Sequence, residues 1–146
     1  WWTRKTSRTL RGKLPSHVCI MASDCYQPAW WSGRVGSNTL DIHHYQCFSD
    51  TDNQATSLTH HRQVLDQRSG EYRDYSRQQP LIIGEWSAAL PPGVASDSTE
   101  YYHCQSQLAV PANVDAWLYW SYKTESPGAW NFRDCYSKGW FDNMLS

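Results

Sequence analysis

The sharpest chemical feature of this 146-residue sequence is a glutamate that ends an apolar run: Leu81-Ile82-Ile83-Gly84 leads straight into Glu85 and then Trp86-Ser87. A carboxylate at the mouth of a buried strand has to be solvated, paired or put to use. A second run, Leu40 to Phe48, carries His43 and Tyr45. Residues two apart on an extended strand share a face, so these two point one way and His44 the other. Tyr45 can donate to Glu85 and hold its charge and orientation. Asp24 follows a first run, and Trp120 and Tyr122 close a fourth, where Trp120 can present a ring and Trp117 is equally suited to the core. Nine Trp, nine Tyr and three Phe make 14% aromatic residues beside 18% charged ones. Such rings either pack a core or lie flat on the apolar faces of sugars.

The formal net charge is -1 and the pI about 6.6, so nothing global attracts nucleic acid or an anionic membrane surface. No metal is expected, because His43-His44 and His60-His61 are adjacent pairs whose side chains diverge, with no carboxylate at ligand spacing. No cofactor is expected either. The five cysteines (Cys19, Cys25, Cys47, Cys104, Cys135) include no CxxC pair. They are core thiols, or half-cystines of a secreted protein whose partners lie elsewhere. No apolar run is long enough to cross a bilayer, and the opening residues lack the apolar core of a signal peptide.

The residues above need elements to hold them. Four short apolar, β-branched and aromatic runs predict strands at Val18–Ala22, Leu40–Phe48, Leu81–Gly84 and Ala116–Trp120. Thr6–Lys13 suits a helix ended by Leu14-Pro15, since proline disfavours helix in the residue before it. Asp50–Gln79 suits a crossover helix with Leu58, Val64, Leu65 and Tyr72 on one face, and Ser96–Val110 suits another. Gln27–Thr39, with Ser32, Gly33 and Gly36, has room only for a shortened crossover. Alternating strands and helices imply an α/β fold with a parallel sheet, either doubly wound or part of a (β/α)8 barrel. In a barrel, polar residues at the C-terminal ends of the strands form the functional rim, and Asp24, His43, Tyr45, Glu85 and Trp120 all fall there.

The segments Leu40-Asp41-Ile42-His43-His44-Tyr45-Gln46-Cys47-Phe48-Ser49, Ile83-Gly84-Glu85-Trp86-Ser87-Ala88-Ala89-Leu90 and Ala116-Trp117-Leu118-Tyr119-Trp120-Ser121-Tyr122-Lys123-Thr124-Glu125 resemble, in that order, the last strands of fungal β-glucanases of glycoside hydrolase family 5, of the exo-1,3-β-glucanase type. Ser23-Asp24-Cys25-Tyr26-Gln27 resembles the end of the family's fifth strand. Trp130-Asn131-Phe132-Arg133 and Gly139-Trp140-Phe141 resemble its closing segment, so the likeness covers nearly all of residues 1–146.

The resemblance implies a partial catalytic domain: the C-terminal half of a (β/α)8 TIM barrel, roughly strands five to eight, without the N-terminal half. It implies Glu85 as the nucleophile of a retaining hydrolysis, with His43 and Tyr45 lining the cleavage subsite, Trp120 as the platform under that sugar and Phe48 at the entrance on the acceptor side. The acid/base glutamate that such a mechanism needs lies in an Asn-Glu-Pro segment of the family, and no such segment exists here. Asp24, Asp41 and Glu125 are the internal carboxylates that could replace it, Asp41 being too deep and Glu125 on a loop. The implied ligand is a β-glucan or an oligosaccharide, linked 1,3 or, as in related members, 1,6. The implied location is secreted or cell wall. The rival reading is a non-catalytic glucan-binding remnant. A half-barrel leaves two open edges, so self-association is expected.

Overall fold

The computed structural model describes residues 2–110 and 114–142. Its framework is one parallel sheet of β1 (Met21–Ser23), β2 (Thr39–His44), β3 (Leu81–Trp86) and β4 (Ala116–Tyr119), in that spatial order. Spatial order that follows chain order decides between the two α/β architectures. A doubly wound sheet reverses direction at a switch point, whereas successive strands of a barrel are neighbours. The fold is therefore part of a (β/α) barrel.

Six helices accompany the strands among the described residues: α1 (Trp2–Arg11), α2 (Pro28–Trp31), α3 (Asp50–Gln54), α4 (Leu58–Ser76), α5 (Asp97–Leu108) and α6 (Phe132–Ser137). The crossover after β1 is one turn of helix, as its glycines and serine foretold. The polar segment expected as one helix is two, because Ser57 caps a fresh start: its side chain accepts from the His60 amide at 3.4 Å, after Ala55 has turned extended. Helix α6 was not foreseen. Its start is fixed by the Asn131 side chain, which accepts from the Asp134 amide at 3.1 Å.

The strand limits shift as well. The first strand begins at Met21 rather than Val18, since Val18 closes a turn on Pro15 and pairing starts only where Met21 meets Thr39. The second stops at His44, which frees Tyr45 to Phe48 to run to the Ser49 cap of α3. The third continues past Gly84 to Trp86.

The two faces of the sheet differ. Leu40, Ile42, Leu81 and Ile83, at most 4% exposed, point at the helices and pack with Leu65 and Tyr72 of α4 and Cys104 of α5. Each such burial stabilises by about 1.5–3 kcal/mol. On the opposite, concave face Met21 and Leu118 stand 55% and 53% exposed. The helix side also buries a polar layer. His44 Nδ1 and Tyr72 Oη share a hydrogen bond of 2.9 Å, His61 Nδ1 donates to Gln46 Oε1 at 3.0 Å, and His103 is fully buried with no described partner on either ring nitrogen. Burial holds all three imidazoles neutral, driving His103 down to about 3.

A one-residue bulge in β3 decides what faces the concave side. Strict alternation would send Ile82 and Gly84 there, and Glu85 into the helices. Instead Ile42 pairs with Ile83 and the next residue, His43, pairs with Glu85, so Gly84 is the extra residue; the ladder to β4 shifts over the same stretch, between Ile83 and Trp86. A bulge reverses the facing of everything beyond it. Glu85 thus joins Asp41 and His43 on the concave face, and Trp86, 3% exposed, turns into the core against Trp117 and Tyr119.

Candidate active site

At the C-terminal ends of β2 and β3, three of the expected residues meet around one carboxylate oxygen. Tyr45 Oη donates to Glu85 Oε2 at 2.8 Å, and His43 Nδ1 lies 3.4 Å from the same atom. Burial, and then the bond to Glu85, push the Tyr45 phenol far up, so it stays protonated and remains a donor. Among the described residues none donates to Glu85 Oε1. The carboxylate is held by one oxygen and offers the other, the arrangement a nucleophile or a general base requires.

His43 Nε2 faces a second carboxylate, Asp41 Oδ2, at 3.9 Å. Burial raises the Asp41 pKa and the neighbouring His43 opposes the rise. Asp24, 1% exposed, is also raised by burial, against the Tyr26 amide that donates to its Oδ1 at 3.1 Å. Glu125 sits on an exposed loop. Among the described residues no group of three or more His, Cys, Asp or Glu is placed to hold a metal ion.

Rings surround this polar group. Phe48, 66% exposed, lies 5.1 Å from the Tyr45 ring and 5.8 Å from Trp130, which itself lies 5.5 Å from Tyr45. Trp120 stands 53% exposed just past β4, its amide donating to Trp86 O at 2.7 Å, where the chain leaves the strand through a cis Trp120–Ser121 peptide. Trp117 instead packs half-buried against the core. Two further rings that carried no expected role belong to this neighbourhood: Trp130, and Tyr26, 74% exposed with its edge 6.0 Å from His43. Tyr26 is presented by unusual backbone, since φ is +47° at Cys25 and +58° at Tyr26. Two successive non-glycine residues in the left-handed region are costly and persist where surroundings fix them, here through the bond from the Tyr26 amide to Asp24. A cleft of about 530 Å³ opens beside the group, bounded by Tyr26, His43, Tyr45 and Phe48 and running to Arg68 and Glu71 of α4.

All five cysteines are free thiols: Cys104 and Cys135 fill the core, Cys47 is half-buried, and Cys19 and Cys25 are exposed. Burial pushes the Cys104 thiol up to about 12 and that of Cys135 up to about 11, which leaves both inert at neutral pH.

No family model matches the chain. It is 23% identical over 182 residues to "Probable glucan 1,3-beta-glucosidase A" of Emericella nidulans, an alignment that takes in 97% of this chain and 44% of the relative. The alignment is longer than the chain, so the relative holds residues that this chain lacks. A solved structure, "Crystal structure of AoRut", superposes with a TM-score of 0.73 at 16% identity, over 99% of this chain and 43% of that one. The chain thus spans less than half the length of both, and its fold corresponds to part of a larger one. Together with the carboxylate-centred group at the strand ends, these likenesses make the chain a distant relative of a glycoside hydrolase.

Proposed function

We propose that the chain is part of the catalytic domain of a retaining β-glucan hydrolase, with Glu85 as its nucleophile. The observation that carries this reading is the hold on Glu85, whose Oε2 meets Tyr45 Oη at 2.8 Å and His43 at 3.4 Å while Oε1 stays open. In such a reaction Oε1 attacks the anomeric carbon, and the bond to the leaving oxygen breaks as that oxygen takes a proton from a second carboxylic acid about 5 Å away. Water then attacks the anomeric carbon and displaces the glutamate carboxylate, giving one proton to the second carboxylate, which is thereby restored to its acid form. Trp120 supplies the platform under the reacting sugar, and Phe48 flanks the acceptor side. The second acid comes from outside these 146 residues, which hold no Asn-Glu-Pro segment. The distant likeness to a 1,3-β-glucosidase supports 1,3-linked glucan as the substrate.

A 2-deoxy-2-fluoro-β-glucoside with a dinitrophenolate leaving group tests the nucleophile, because so good a leaving group needs little acid assistance. Mass spectrometry of the treated chain should find one fluoroglucosyl label, on the peptide containing Glu85, and Glu85→Gln should abolish it. A label on Asp24 or Asp41 would remove Glu85 from the role. Absence of any label from a chain that still binds laminari-oligosaccharides would establish the non-catalytic glucan-binding reading instead.

A further inference from the structure

We infer that Asp41 is a positioning residue of this site: seated on the Gly84 bulge, its carboxylate orients His43 and, through His43, Glu85, an inference that rests on Glu85 being the nucleophile. The three groups form a continuous line on the concave face. Asp41 Oδ2 faces His43 Nε2 at 3.9 Å, and His43 Nδ1 faces Glu85 Oε2 at 3.4 Å.

Gly84 shows how closely Asp41 is built into the bulge. A Cβ there would stand 2.0 Å from Asp41 Oδ1 and 2.8 Å from its Cγ. Gly84 is not among the glycines with positive φ, so its backbone does not demand glycine. What demands it is room for the carboxylate. The residue that re-aims Glu85 and the residue that carries Asp41 are therefore one packing unit, and neither side chain can be enlarged without moving the other.

Asp41 is poorly explained as a stabilising residue. The Gly84 backbone helps its carboxylate, but Oδ1 is closed off from water without a well-formed hydrogen bond, and burial still outweighs that help and disfavours the charge. A group that lowers stability yet faces a site residue is the pattern left when function outweighs folding. Asp24, a second raised carboxyl that also lies in the field of His43, differs in spending an oxygen on capping its own turn.

Asp41→Asn keeps the shape and removes the charge. The thermal midpoint should stay at or above that of the wild type, and the His43 ring resonances should move in the 1H–13C spectrum, further than they move in Asp24→Asn. Labelling of Glu85 by the fluoroglucoside should slow by about tenfold to a hundredfold, with the acid limb of its pH profile displaced. Wild-type labelling with an unmoved His43 ring would overturn the inference, and so would an Asn variant that simply unfolds. If the wild type takes no label, the nucleophile reading fails alone, and the ring resonances still decide whether Asp41 orients His43. Gly84→Ala provides the second variant. It should disrupt the wild type and be tolerated on an Asp41→Ala background; equal cost in both backgrounds would show that Asp41 and Gly84 are not one unit.

Discussion

On the helix side of β2, Leu40, Ile42 and His44 are at most 2% exposed, whereas on its concave side Asp41 and His43 keep about a fifth of their side-chain surface open, 21% and 22%. The helix side pairs some of its polar groups within the layer, and burial keeps its imidazoles uncharged. The concave side holds Asp41, whose charged form burial disfavours and which faces His43 rather than the core. One strand thus separates two tasks by parity alone, and stability and chemistry can be altered independently on residues one position apart.

The separation breaks first where packing is densest. Leu40→Ala should cost about 2–5 kcal/mol in urea unfolding, while Leu118→Ala, on the open face, should stay within about 0.5 kcal/mol. If Leu118→Ala costs as much as Leu40→Ala, the concave face is covered in solution by a second chain. The same contrast recurs between the tryptophans of the fourth strand. Trp117→Ala should lose about 2 kcal/mol, roughly half the cost of a fully buried ring. Trp120→Ala should keep its midpoint and lose affinity for a laminari-oligosaccharide, read by tryptophan fluorescence. Unfolding by Trp120→Ala alone would mean that platform and core residue are exchanged.

Acidity acts on the two faces with opposite sign. His44, His61 and His103 are held neutral in the folded chain, and the unfolded chain protonates them below about pH 6.5. Their contribution is complete above that pH and is lost as the pH falls towards the folded values, by up to about 1.4 kcal/mol per pH unit for each group. For His103 the loss runs down to about pH 3. Asp24 and Asp41 have raised pKa values, so protonation on the way down relieves strain on their side. Urea midpoints between pH 7 and 4.5 should therefore fall, and His103→Leu should flatten the slope. A slope untouched by that change would assign the acid sensitivity to other groups.

The strands, the short first crossover and the alternation on β2 were legible because period-two patterning and glycine punctuation are local signals. His44 turning away from His43 followed from the same rule. Helix α6 and the break at Ala55 were not, since each depends on one polar cap that looks like any other loop Ser or Asn. Least legible was the facing of Glu85. Counted from Ile82, parity sends it into the helices, and only the bulge, visible in sequence as nothing more than Gly84, turns it outward. Tyr26 escaped assignment for a related reason: its place beside His43 depends on two left-handed residues that the sequence Cys25-Tyr26 does not advertise.

Each strand of the sheet bonds only to the strand before it and the strand after it in the chain. Such an order makes cooperativity a nearest-neighbour property, as in repeat proteins, with opening that starts at the ends and moves inward. Among the described residues, β2 and β3 are each bonded on both sides. His43 and Glu85 therefore ride on two strands that are each held by two ladders, so the pair that grips the carboxylate is fixed from both sides of the sheet.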